Sequence, residues 1–202
     1  MAKAMAPRGF ARERVLEAAQ GLFAEHGVSG TSLQMIADRL GVRKSAVYYQ
    51  FPCKDDIVVA VFRPVFEDIT RVVAIAEAIG SREVQREATI SGIIELAVRH
   101  RRTTVLVHTD PAVVGIVEAI GDFRDASRRL QTILAGPEPD PSTLIAIAVL
   151  VPGLLGAAAD PTVSDIPNEE LHRMLLDCSR RLFAAQAPAD QEADGSKTST
   201  PT

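Results

Sequence analysis

The sequence predicts an all-α protein, and three observations carry that expectation. Strand signals are nearly absent over the 202 residues. Apolar residues recur instead at spacings of three and four along most of the chain, the period of one helix face. Glycine and proline interrupt these stretches, at Gly27, Gly41, Pro52 and between Gly136 and Pro141, where a helix would stop.

The elements follow in order. Val15, Ala18, Ala19, Leu22 and Phe23 form one stripe of a helix that should end at Gly27, with His26 in its last turn. Residues 31–51 read TSLQMIADRLGVRKSAVYYQF. Thr31 or Ser32 can cap a second helix through its hydroxyl, and Leu33, Ile36, Ala37 and Leu40 form its apolar face. Gly41 supplies a turn, and a third, short helix begins near Arg43 with Ala46 and Val47 directed inward. A small residue at 37, a glycine at 41 and a branched residue at 47 meet the requirements of a helix-turn-helix. Pro52 then closes an N-terminal unit of residues 1–53.

Beyond it, helical stripes recur through Ile90, Ile93, Ile94 and Ala97, through Phe123, Ala126, Leu130 and Ile133, and through Leu171, Met174, Leu175, Cys178 and Leu182. Residues 54–186 are expected to form six more helices, about nine in all. Residues 187–202 contain no Val, Ile, Leu, Met or aromatic residue, too little to repay ordering, so a disordered tail is expected. The longest apolar run, Leu144 to Ala159, is 16 residues with Pro152, Gly153 and Gly156 inside it. A membrane span takes about 20 residues, so a buried core helix is expected and no membrane partner. Residues 1–9 show no apolar stretch of a secretory signal, which points to a cytoplasmic, soluble protein.

Composition excludes several functions. Cys53 and Cys178 are too few for a disulfide scaffold, and neither they nor His26, His100, His108 and His172 fall at metal-ligand spacing. Paired carboxylates at useful spacing, a nucleophile motif and a glycine-rich phosphate loop are all lacking, which argues against an enzyme and against a cofactor. The net charge of −4 and the pI near 5.6 argue against nucleic acid until the charge is divided by segment. Residues 1–54 carry eight cations and four anions, a net +4, while the remaining 148 residues carry a net −8. An acidic body hides a basic head.

The outward positions of the third helix are then Arg43, Lys44, Ser45, Tyr48 and Tyr49, and those are both tyrosines of the chain. Cations for phosphates, a hydroxyl for phosphates or base edges, and planar rings for sugars and thymine methyls are what a helix in the major groove of double-stranded DNA needs.

An amphipathic helix, then Thr31-Ser32, Ile36-Ala37, Leu40-Gly41-Val42, Lys44, Ala46, Tyr48-Tyr49 and Phe51, then Pro52 and Lys54-Asp55, strongly resembles the tetracycline-repressor (TetR) family of bacterial transcription regulators. The match covers roughly residues 12–57. Gln50 stands where the family usually has His, and Cys53 where Ser, Asn or a similar cap is usual. By that resemblance the third helix is the recognition helix, Thr31 and Ser32 meet phosphate at the start of the second helix, and Lys54 does so at the start of the fourth. The C-terminal domain would bind an unidentified apolar small-molecule effector and form a homodimer through helices at about 142–159 and 168–185. Phe62, Phe66, Ile93, Leu96 and Phe123, with His108 as a polar contact, are the candidate ligand pocket. The fourth helix, Lys54 to about Ile79, would link the two functions. The implied function is a repressor that binds a pseudo-palindromic operator, with two recognition helices about 34 Å apart, and is released by its ligand. An activator of the same fold, or a helical protein-interaction module, are the alternatives.

Overall fold

Ten α-helices and one 3-10 turn make up residues 8–184, the part of the chain that the computed structural model describes; side chains are described for residues 11–106 and 110–182. The expected tail at 187–202 lies outside the described residues. The helices are α1 (Arg8–Gly30), α2 (Leu33–Leu40), α3 (Lys44–Gln50), α4 (Lys54–Glu77), α5 (Arg82–Arg99), α6 (Arg101–Thr109), α7 (Pro111–Glu118), α8 (Gly121–Ala135), α9 (Pro141–Ala159) and α10 (Asn168–Ala184), with the 3-10 turn at Pro161–Val163. Seven helices therefore follow residue 53, not six. The miscount lies at residues 100–120, where α6 and α7 are nine and eight residues long, too short for a repeating stripe to register.

Asp-Pro pairs set three of the starts. Asp110 accepts the Ala112 N–H, Asp140 those of Ser142 and Thr143, and Asp160 that of Thr162, each with proline as the first residue of the helical turn. The carboxylate satisfies amides that the first turn leaves unpaired, and proline has no N–H to leave unpaired there.

Two apolar cores meet along α4. The first joins Val15, Ala19, Leu22 and Phe23 of α1 to Ile36, Ala37, Val47, Phe51 and the N-terminal half of α4. Leu106 of α6 and Val113 and Val117 of α7 complete it, so this core reaches across residue 53. The second gathers Val73 and Ala76 of α4 with the inner faces of α5, α8, α9 and α10. At its edge Val72 packs directly over Gly92, where a built Cβ would lie 2.6 Å from a Val72 methyl, so α4 and α5 approach as closely as they do only because residue 92 has no side chain.

Three of the four consecutive cationic residues 99–102 are engaged within the fold. Arg99 pairs with Glu95 and Asp68, the His100 ring lies 2.9 Å from Asp68, and Arg101 donates to the carbonyls of Ala158, Val163 and Ile166. With His100 and then Arg71 beside it, the Asp68 carboxyl is held below its ordinary range.

Among the described residues α9 is the helix long and apolar enough to cross a membrane. The expected all-round burial holds for one face only. Ala146, Leu150, Leu154 and Ala158 are buried, whereas Ile145 and Val149 are each 65% exposed and Leu144 is 50% exposed. On the neighbouring α10, Leu171, Leu175 and Ser179 turn inward while Met174 and Leu182, together with Cys178, face outward.

Candidate nucleic-acid interface and ligand cavity

The helix-turn-helix is shaped by a few local contacts. Ser32 caps α2 by accepting the Met35 N–H at 3.2 Å. At the other end Gly41 adopts φ 65°, ψ 33°, the left-handed conformation that glycine favours. Its N–H reaches the Asp38 carbonyl at 3.1 Å and that of Val42 the Ala37 carbonyl at 3.0 Å, so the chain turns with its carbonyls satisfied. Val47 then drops into the core with no exposed surface.

Burying Val47 orients α3. Lys44, Ser45, Tyr48 and Tyr49 stand on its exposed side, with Tyr48 at 47% and Tyr49 at 73% exposure. Arg43 precedes the first helical turn as its cap residue and is exposed, without a side-chain capping bond. The Lys44 ammonium lies 5.5 Å from the centroid of the Tyr48 ring, one turn along, so cation and ring present themselves as a unit. Ala46 also lies on the exposed side, contrary to the inward position expected of it: on a seven-residue helix pinned by Val47, the preceding residue is rotated away from the core.

One expected phosphate contact is corrected, and a second residue expected at phosphate has partners within the chain. Thr31 is buried, and its hydroxyl donates to the carbonyls of Gly27 at 2.8 Å and Leu22 at 3.2 Å; it closes the end of α1 and has no path to a phosphate. Lys54 donates through Nζ to the carbonyls of Val28 at 2.7 Å and Thr31 at 3.1 Å, so its charge is spent on the corner between α1 and α2. Two further cations of the head are also engaged. Arg12 donates to the Gln50 carbonyl and stacks 4.1 Å from the Phe51 ring centroid, and Arg39 grips Glu25 through two hydrogen bonds. Arg43 and Lys44 are exposed at the start of α3. Cys53 begins α4 with its thiol 3.2 Å from the Asp56 carboxylate, in the place where a hydroxyl would cap.

Asp110 is the residue that the sequence reading missed. It is buried at the joint of α6 and α7, and its Oδ2 accepts the N–H groups of Val28 at 2.6 Å and Ser29 at 3.2 Å. Burial alone would raise its pKa; the amides of Ser29, Ala112 and Val28, with Lys54 nearby, outweigh that and hold it below the ordinary carboxylate range. The Asp-Pro pair signals the cap, but nothing in the sequence signals the partner, 82 residues away.

A cavity of about 310 Å³ opens between α4, α5, α6, α7, α8 and α9. Phe62, Phe66, Ile93, Leu96 and Phe123 all line it, while the side chain of His108 lies outside the described residues. Thr103 and Thr104 of α6 and Val114 and Val117 of α7 contribute to the same wall, on either side of Asp110.

The fold and these two sites define a class, a helix-turn-helix protein whose reading head rides on a hollow helical domain. Residues 15–61 match the model of the bacterial regulatory proteins, tetR family. The chain is 30% identical over 76 residues to the transcriptional repressor AcnR of Corynebacterium diphtheriae, a match spanning 38% of each chain. The fold is that of the ketosteroid transcriptional regulator KstR2 of Mycobacterium tuberculosis, with a TM-score of 0.67 at 15% identity over 91% of this chain and 97% of that one. It is also that of SmeT, solved as a triclosan complex, with a TM-score of 0.56 at 23% identity over 96% and 100% of the two chains. Over residues 15–61 the chain is thus similar to the tetR-family regulators, it spans little more than a third of the length of the AcnR relative it matches, and its fold is that of solved transcriptional regulators.

Proposed function

We propose that this protein is a cytoplasmic repressor that binds a pseudo-palindromic DNA operator as a homodimer and is released by a small molecule held in the α4–α9 cavity. It acts by binding and not by catalysis. The observation that carries the reading is the face of α3, where a buried Val47 leaves Arg43, Lys44, Ser45, Tyr48 and Tyr49 exposed together beyond a tight glycine turn. Ser32, exposed at the start of α2, adds a hydroxyl for phosphate.

The dimer reading rests on α9 and α10, whose outer faces expose Leu144, Ile145, Val149, Met174 and Leu182 side by side. Nothing lies within 4 Å of a Cβ built at Gly153, which leaves room for the backbone of a second subunit. The effector reading rests on the cavity and on what surrounds it. Its α4 wall runs directly down to Lys54, and its α6 and α7 walls meet at Asp110; Lys54 holds the Val28 carbonyl and Asp110 the Val28 N–H. A ligand that fits one placement of α4, α6 and α7 better than another shifts the head by that difference in affinity and no more.

The test begins with genomic fragments recovered by the purified protein, whose shared motif defines the operator. Binding to it should weaken steeply with salt, because duplex association releases counterions. The double substitution Arg43→Ala, Tyr48→Ala should abolish binding while helicity and subunit association persist; undiminished binding overturns the assignment.

A further inference from the structure

The chemistry of the cavity wall narrows its occupant, an inference that rests on the effector reading above. Phe62, Phe66 and Phe123 form a continuous aromatic surface, with centroids 6.2 Å apart for the first pair and 4.9 Å for the second. The rest of the wall is mainly aliphatic, and Thr103, Thr104, Ser127 and Gln131 add uncharged polar groups. Glu118 is the charged member among the described lining residues, and neither Lys nor Arg accompanies it. Glu118 and Gln131 are exposed, which puts them at the rim, whereas Thr103 and the Phe62 ring are buried.

These features favour one sign of charge. The face of an aromatic ring attracts cations. A carboxylate at the rim of an apolar hollow attracts a cation that comes within contact distance of it, although water screens its field farther out. An anion entering the same space would lose its hydration beside Glu118 and gain no cationic partner among the described groups. We propose that the effector is a lipophilic organic monocation, an amine or related nitrogen cation on an apolar body. The body lies against Phe62, Phe66 and Phe123, and the cationic end faces Glu118. The volume, at the lower end of small-molecule sites, limits that body to a compact one of a few rings.

Three probes of similar shape test this on the full chain: biphenyl-4-methylamine, biphenyl-4-methanol and biphenyl-4-carboxylate, titrated calorimetrically at one pH near neutrality, where the amine is a cation and the carboxylate an anion. The amine should bind about tenfold tighter than the alcohol, and the carboxylate weakest of the three. Glu118→Gln should reduce the amine to the affinity of the alcohol and leave the alcohol unchanged. An amine with no advantage, or a carboxylate that binds as tightly, overturns the charge assignment. Ala97→Phe, which fills the cavity, separates that failure from failure of the effector reading, and Val114→Trp on the half-exposed wall serves if the first variant does not fold. Loss of alcohol binding in the filled variant upholds the cavity; no binding of any probe to the wild-type chain, or binding indifferent to filling, overturns both.

Discussion

The carboxylate of Asp110 accepts the backbone N–H of Val28 at 2.6 Å, joining the wall of the cavity to the corner of the helix-turn-helix. The next peptide group is held at both ends, because its Ser29 N–H reaches the same carboxylate at 3.2 Å and its Val28 carbonyl accepts from Lys54 Nζ at 2.7 Å. Removing the carboxylate leaves the amides of Val28, Ser29 and Ala112 without their partner. Asp110→Ala should therefore lower stability by about 2–4 kcal/mol in chemical denaturation, since buried donors lose their acceptor and α7 loses its cap. A loss under about 0.5 kcal/mol, the range of an ordinary surface change, contradicts the clamp.

Acid should reveal the same contact. The Asp110 carboxyl is held below its ordinary range in the folded chain, so its stabilisation is complete above the unfolded pKa of about 3.9 and is lost as pH falls through the folded value. Asp110→Asn has no such group to titrate. The stability difference between the wild-type chain and this variant should stay level through neutral pH and shrink once the pH falls below about 4. Denaturation curves at a series of pH values check it, and a difference that grows toward acid contradicts it.

Gly27 sits beside this contact at φ 71°, ψ 166°, a region that only glycine occupies comfortably, and α1 breaks there. A Cβ at this position would also stand 3.1 Å from Asp110 Oδ2. Gly27→Ala should cost about 1–3 kcal/mol from backbone strain, with crowding of the carboxylate added. Thermal unfolding measures it; a variant as stable as the wild type means that the corner relaxes without strain.

Salt dependence distinguishes cations that hold the fold from those that meet DNA. Arg43→Ala and Lys44→Ala should each reduce the slope of log affinity against log salt by about one, with stability nearly unchanged. Lys54→Ala should do the reverse. It removes the Lys54 donor from the Thr31 carbonyl and one of two donors from the Val28 carbonyl, which keeps the Thr31 N–H, costing about 1–2 kcal/mol of stability, with little effect on the slope once the variant is folded. A slope that falls by one in Lys54→Ala restores the residue to the phosphate contacts.

The sequence disclosed what repeats or turns locally. The stripes through Val15–Phe23, Ile90–Ala97 and Ala126–Ile133 lie in the cores, Gly27 breaks α1 and Gly41 ends α2, both at the positive φ that glycine favours. The face of α3 was legible because one buried residue, Val47, sets the rotation of a short helix. Long-range partners were not legible. Lys54 and Thr31 carry groups that suit a phosphate equally well, and only the folded corner shows that backbone carbonyls take them first. The short helices α6 and α7 carried too few turns to show a period, although the Asp110-Pro111 pair marks their joint.

The outer face of α9 provides a further test. Val149 is 65% exposed in the single subunit, with Ile145 one turn before it and Met174 and Leu182 on the adjacent α10. Within one subunit an arginine at 149 stays in water, so Val149→Arg should leave the unfolding free energy of the isolated subunit within about 0.5 kcal/mol. In the proposed dimer the same side chain would be buried beside its symmetry mate, two unpaired cations in an apolar seam. That should raise the dimer dissociation constant by about a hundredfold or more, close to 3 kcal/mol, and yield monomers at micromolar concentration in sedimentation experiments. The monomer should still bind a single half-site weakly, because the α3 face is untouched, and should lose the tight binding of the two-fold operator. Unaltered self-association of Val149→Arg would place the subunit interface on another face of the molecule.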